Sequence, residues 1–322
     1  EARRVALWGP AGAGKTRLAV EFARRWLQSE GSEAWFCELT GIGSHDDAII
    51  QVARATGVQI PRSESPEELV ERIGSAWSAR GPMTVLLDDT RALDAQFHGT
   101  AGRWVDRADN VRVISTSNQQ PPADVPEIRV DILGEASARA LLEDRLTRVT
   151  YDAMTPSERE RVLDSVDDCG RLPLALELFA AAARQDTTWP RVTLASGGNN
   201  HGELDGDLHR ALASSWKALG ETQRTALQAC TIFPASFSAE AAHRVIDAVD
   251  EDEVAADNLT SLRRQALLRT DGQTAESDRL VVLAPLREYV ERQTSEDVLD
   301  TAREGHVAFY AEWAERLYDA LE

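Results

Sequence analysis

Residues Gly9 to Thr16, GPAGAGKT, set glycines at 9, 12 and 14, a lysine at 15 and a hydroxyl at 16. The spacing G-x-x-x-x-G-K-T is that of a loop that cradles phosphate. Glycines at 12 and 14 let successive backbone N–H groups curl into one concave anion site. Lys15 adds a compact charge able to reach the β- and γ-phosphates, and Thr16 a hydroxyl for Mg²⁺. Of the 35 cationic side chains only Lys15 and Lys217 are lysines. Arginine, with its wide planar fork, does not replace lysine in so confined a loop, so keeping Lys15 argues for phosphate recognition. The residues expected to touch nucleotide are Gly9, Gly12, Ala13, Gly14, Lys15, Thr16 and the adjoining Arg17.

A second group carries the metal chemistry. MTVLLDDT, residues 83–90, is an apolar run ending in two acids, the form of a Walker B strand. Asp88 is expected to hold Mg²⁺ together with Thr16, and Asp89 to orient or deprotonate a water. The candidate catalytic set is therefore Lys15, Asp88 and Asp89. NVRVISTSN, residues 110–118, ends in Thr116, Ser117 and Asn118, polar side chains at a strand tip where a γ-phosphate can be sensed. Neither lysine lies in an [NT]-K-x-D element, which points to adenine nucleotides or loose base selection and away from guanine.

These groups need particular elements to position them. Val5–Trp8 reads as a buried strand before the loop, and Leu18, Ala19, Phe22, Ala23 and Trp26 recur at helical spacing after it. Runs at 32–39 and 127–133 complete five strands, with helical patterns near 46–56, 66–79 and 96–107 between them. Alternating β and α units imply an α/β fold, a P-loop NTPase with a five-stranded parallel sheet and ligands at the strands' carboxyl ends.

Composition bounds the rest. A length of 322 residues allows two or three compact units. The net charge of −19 argues against a nucleic-acid surface as the main business of the chain. No apolar run reaches the ~20 residues that span a bilayer, so no membrane partner is expected. Cys37, Cys169 and Cys230 are dispersed and odd in number, which reads as buried thiols in a reducing cytoplasm, with neither disulfide framework nor zinc site. The histidines form no ligand set.

At CGRLPLALELFAAAAR, residues 169–184, the chain resembles the NB-ARC, or STAND, class of signal-transduction ATPases, in the form found in bacterial transcriptional regulators. The element that carries the resemblance is Gly170-Arg171-Leu172-Pro173-Leu174-Ala175-Leu176. It implies a nucleotide-binding domain over 1–133, a helical lid domain over 134–205, a winged-helix domain over 206–297 and the start of a C-terminal helical region over 298–322. Within these, SARALLEDRL (137–146) would open the lid and 189–207 would be a connecting loop. Helices over 207–218, 221–230 and 239–248, a wing hairpin from 266–270 and 278–283, and a helix over 284–293 would follow. Ser238 and Glu240 suit the start of the third of these helices. The resemblance also places Pro173 near the base and sugar. It implies ATP or ADP with Mg²⁺ as ligands, slow hydrolysis, an ADP-bound closed state, and an ATP-bound open state that self-associates.

Three positions depart from the family. Asn118 stands where an arginine follows the Thr-Ser of the sensor strand, and it cannot deliver a full positive charge to a γ-phosphate. Leu283 and Ala284 occupy the places of the histidine and aspartate of a Met-His-Asp element whose histidine contacts the ADP β-phosphate, so a lock through that histidine is absent or built differently. The family's adenine-holding segment upstream of the loop is missing, so the chain reads as a fragment of a longer protein. The rival expectation is a regulator whose winged helix contacts DNA, with SLRRQALLR (261–269) as the one basic stretch able to serve. A P-loop kinase would leave the Gly170–Leu176 element unexplained.

Overall fold

The computed structural model describes residues 2–30, 33–61, 65–93, 95–146, 154–183, 204–249, 255–270 and 279–320. It divides into two compact units, Glu1–Ile132 and Leu133–Glu322.

In the first unit the strands are β1 (Arg4–Trp8), β2 (Glu33–Glu38), β3 (Met83–Asp88), β4 (Val111–Ser117) and β5 (Glu127–Arg129). They form one sheet in the order β2-β3-β4-β1-β5, every pairing parallel. The expected five-stranded parallel sheet of a P-loop NTPase is what forms, with β4 between the loop strand and the acid-tipped strand. In β3 the first five residues, Met83–Leu87, are all buried, which is why this run, Thr84 apart, is apolar and does not alternate.

The described residues of this unit also form the helices α1 (Lys15–Glu30), α2 (His45–Ala55), α3 (Pro66–Ser78) and α4 (Ala95–Arg107). Ser44 caps α2 by accepting the Asp47 N–H at 3.1 Å. Ser65 and Glu68 close a reciprocal capping box on α3, with Pro66 in its first turn. Trp77 of α3 and Trp104 of α4 pack with ring centroids 5.2 Å apart, and the Trp104 indole donates to the Val70 carbonyl at 3.1 Å. This cluster clamps α3 and α4 together on the sheet side carrying Val85, Leu87 and Val113. On α1 the small residues Ala19 and Ala23 are buried, whereas Leu18 and Phe22 are 48% and 43% exposed. The helical period was legible, but the face that packs on the sheet is the alanine face.

In the second unit the described helices are α5 (Glu135–Arg145), α6 (Pro156–Asp164), α7 (Pro173–Ala183), α8 (Leu204–Ala218), α9 (Glu221–Cys230), α10 (Ala239–Val249), α11 (Ala255–Arg264), α12 (Ala284–Glu291) and α13 (Glu296–Asp319). The strands β6 (Arg269–Thr270) and β7 (Leu280–Val281) pair antiparallel. Ser238 accepts the Ala241 N–H at 3.1 Å, capping α10. The expected connecting loop over 189–207 lies almost wholly outside the described residues. Two helices add to the sequence reading: α6, announced by a Thr155–Glu158 capping box, and α11, which takes in much of the basic stretch. Among the described residues no helix is long and apolar enough to cross a membrane.

All three cysteines are buried and free of disulfides. Burial pushes the Cys37 and Cys230 thiols up to about 12. At pH 7 only about one such thiol in 10⁵ is a thiolate, and the thiolate is the nucleophile. Native protein is therefore expected to resist iodoacetamide at both positions and to label fully only in denaturant, read by mass spectrometry. Labelling of Cys37 in the folded state at the rate of a free thiol would contradict the core described here.

Candidate nucleotide site

The loop begins where β1 is flanked on both sides. The Gly9 N–H donates to Ser117 of β4 at 3.3 Å, and the Val130 N–H, just past β5, donates to Trp8 at 2.7 Å. A Cβ on Gly9 would sit 2.0 Å from the Val130 carbonyl oxygen, a backbone atom that cannot swing away. Gly14 is at φ +93°, a left-handed conformation that only glycine adopts without strain. Ala13 is buried and Arg17 exposed.

Lys15 opens α1, so its ammonium starts from a helix N-terminus whose free N–H groups favour an anion. The side chain arches back over the loop, donating to the carbonyls of Gly9 at 3.0 Å and Pro10 at 2.9 Å. Thr16 donates its hydroxyl to Oδ1 of Asp88 at 2.7 Å. Thr116 donates to the same oxygen at 2.6 Å. One carboxylate oxygen thus joins the helix after the loop, the end of β3 and the end of β4.

Asp89 is held differently. Its φ of +61° places a non-glycine residue in the left-handed region, at a cost of order 1–3 kcal/mol. Thr116 fixes this turn: its hydroxyl accepts the Asp89 N–H at 3.0 Å, and its carbonyl accepts the Thr90 N–H at 2.8 Å. The Asp89 carboxylate then meets Nε of Arg91 at 3.2 Å, with the two side chains 18% and 28% exposed. The sequence reading placed Thr116 at a sensing strand tip but did not see it hold both acids. It missed Arg91 altogether. No periodicity or motif announces that ion pair, because the reversal at Asp89 creates it. Asn118 follows β4 and is exposed.

Among the described residues no group of three or more His, Cys, Asp or Glu could hold a metal. Thr16 and Asp88 nevertheless offer two hard oxygen donors meeting at 2.7 Å. That suits Mg²⁺, which binds through one or two carboxylates and leaves the rest of its shell to water and phosphate.

Pro173 lies in the second unit, at the first position of α7. Gly170 and Arg171 precede it at φ +58° and +50°, forming the turn that launches the helix, and the Arg171 carbonyl accepts the Leu133 N–H at 3.1 Å. After the proline α7 is buried all round, as Leu174, Ala175, Leu176, Leu178 and Phe179 require. Glu177 alone is charged within this buried run. It pairs with Arg145 of α5 at 3.1 Å and with Arg269 of β6, which removes the penalty of an isolated buried charge. Leu283 sits before the first residue of α12, where it caps the helix without a side-chain hydrogen bond.

A family model described as an AAA domain matches residues 1–119. The regulatory protein AfsR of Streptomyces coelicolor is 28% identical over 200 residues, 59% of this chain and 19% of AfsR. The protein Rv0894 of Mycobacterium tuberculosis is 24% identical over 273 residues, 78% of this chain and 65% of that protein. Among solved structures, a Signal Transduction ATPase with Numerous Domains (STAND) protein with a tetratricopeptide repeat sensor, from Pyrococcus horikoshii, superposes with a TM-score of 0.58 at 17% identity. That match covers 96% of this chain and 43% of the other. The chain thus spans from a fifth to two-thirds of the length of these relatives. Residues 1–119 match an AAA-domain model, and the chain is similar in sequence to AfsR over part of its length and in fold to a STAND protein.

Proposed function

We propose that the chain is an adenine-nucleotide-operated switch, the NB-ARC-like module of a regulatory protein. The observation that carries this is the shared Oδ1 of Asp88. It ties the hydroxyl of the phosphate loop's helix to the hydroxyl at the β4 tip, so a change at the phosphates reaches both elements at once. Backbone N–H groups of the loop and Lys15 bind the β- and γ-phosphates, and Thr16 with Asp88 holds the cation. Mg²⁺, when bound, neutralises charge developing on the phosphate oxygens. In hydrolysis Asp89 takes a proton from water as the water oxygen bonds to the γ-phosphorus. The bond to the β–γ bridging oxygen breaks, and ADP leaves.

In this proposal residues 134–205 form the lid, with Pro173 near the base and sugar, and 206–297 a winged helix whose wing is the β6–β7 pair. Residues 298–322 begin a further helical region. Exchange of ADP for ATP shifts the closed and open states only through its different affinity for each, and the open state self-associates. The resemblance to a regulatory protein and to a STAND fold supports this reading. A nucleic-acid partner is no part of the proposal. The chain carries a net charge of −19, and Arg269, the last cation of the basic stretch, is paired with Glu177.

The test uses the metal. Wild-type protein should bind ATP roughly tenfold more tightly with Mg²⁺ than with EDTA, a difference of about 1.4 kcal/mol. Asp88→Ala should bind with the same affinity in both, by equilibrium titration with a fluorescent ATP. A variant that keeps the full Mg²⁺ effect would remove Asp88 from the site.

A further inference from the structure

We propose that Arg91 is a built-in restraint on ATP hydrolysis, acting by occupying the carboxylate of Asp89. The inference rests on the nucleotide-switch reading and names a regulator of that same site.

The two adjacent acids are treated in opposite ways. Asp88 receives neutral hydroxyl donors, Thr16 and Thr116, on one oxygen. These are weak competitors for a cation, and they leave the charge of the carboxylate available. Asp89 receives a guanidinium, a full positive charge, at 3.2 Å in a setting where both side chains are mostly covered. Partial burial makes such a pair stronger and less screened than one in open water. The backbone enforces the arrangement. With Asp89 at φ +61° and Thr116 gripping its N–H at 3.0 Å and the Thr90 N–H at 2.8 Å, the chain reverses and returns Arg91 to the carboxylate two residues before it.

A general base works through a lone pair directed at water, so the carboxylate oxygen must be within reach of that water. Arg91 sits on Oδ1 of Asp89 at 3.2 Å, in a turn that holds the two side chains together and mostly covered. A water can use that oxygen only once the pair opens. Arg91 is a positioning residue acting through Asp89. It also supplies a cation near the acid pair, where the residue after β4 is the uncharged Asn118.

The experiment compares Arg91→Ala, Arg91→Lys and wild type, measuring ATP affinity by equilibrium titration and turnover by phosphate release over pH. Arg91→Ala is expected to raise kcat about fivefold or more with ATP affinity unchanged within twofold. Arg91→Lys, which keeps the charge, should stay near wild type. Adding Asp89→Asn to Arg91→Ala should erase the gain, because the gain runs through Asp89. Loss or constancy of kcat in Arg91→Ala, with wild type binding and turning over ATP, overturns this inference alone. A gain that survives Asp89→Asn overturns it too. Wild-type protein that binds no ATP overturns the underlying switch reading instead. Thermal unfolding of each variant, within a few degrees of wild type, keeps a folding defect from imitating either result.

Discussion

Lys15→Ala is expected to weaken ATP and ADP binding at least ~100-fold, about 2.8 kcal/mol, while the protein stays folded. The two halves of that expectation come from different contacts. The ammonium is the compact charge placed at the start of α1, where it meets phosphate in a site otherwise made of backbone N–H groups. Its intramolecular role is slight: it donates to the Gly9 and Pro10 carbonyls, in a part-buried setting that water can take over. Lys15→Arg should also bind poorly despite its conserved charge, since a planar fork cannot take the path of the lysine over the loop. Calorimetric titration checks affinity, and circular dichroism with thermal unfolding checks the fold. Normal affinity in Lys15→Ala would place the nucleotide elsewhere.

Gly9→Ala should have the largest effect on stability, a loss of roughly 3 kcal/mol or more. A methyl at that position would lie 2.0 Å from the Val130 oxygen and 3.0 Å from its carbon, at a φ of +151° that L-residues seldom adopt. Relief requires Val130 to withdraw, which breaks its 2.7 Å hydrogen bond to Trp8 and pulls β5 from the sheet edge. The unfolding midpoint in urea should fall accordingly. Gly14→Ala makes a useful contrast, because no atom lies within 4 Å of its would-be Cβ. Its cost comes from φ +93° alone, so it should destabilise less than Gly9→Ala. Equal stability of Gly9→Ala and wild type would mean that β5 does not pack as described.

The phosphate loop was legible because its chemistry is local: glycines, lysine and threonine within eight residues admit few alternatives. The five strands and their parallel pairing followed from alternating apolar and helical patterns, with β3 clearest because both its faces are buried. The packed face of α1 was not legible. Leu18 and Phe22 carry the apolar signal there, yet Ala19 and Ala23 allow the close approach to the sheet. Helix α6 carried its own notice in Thr155, Pro156 and Glu158, whereas of α11 only the last turn, with Arg263 and Arg264, fell within the stretch that reads as a solvated helix face. The division of labour between the two acids could not be read from LLDDTR. It depends on a backbone turn at Asp89 and on Thr116, 27 residues further along the chain. Glu177 is similar: a charge in a buried helix makes sense only once Arg145 and Arg269 arrive beside it.

The most direct test of the central claim is calorimetric titration of the nucleotide-free wild-type chain with ATP and with ADP in the presence of Mg²⁺. The account predicts one site per chain that saturates with each nucleotide at micromolar or lower concentration. Absence of saturable binding of either nucleotide to the folded protein would contradict it.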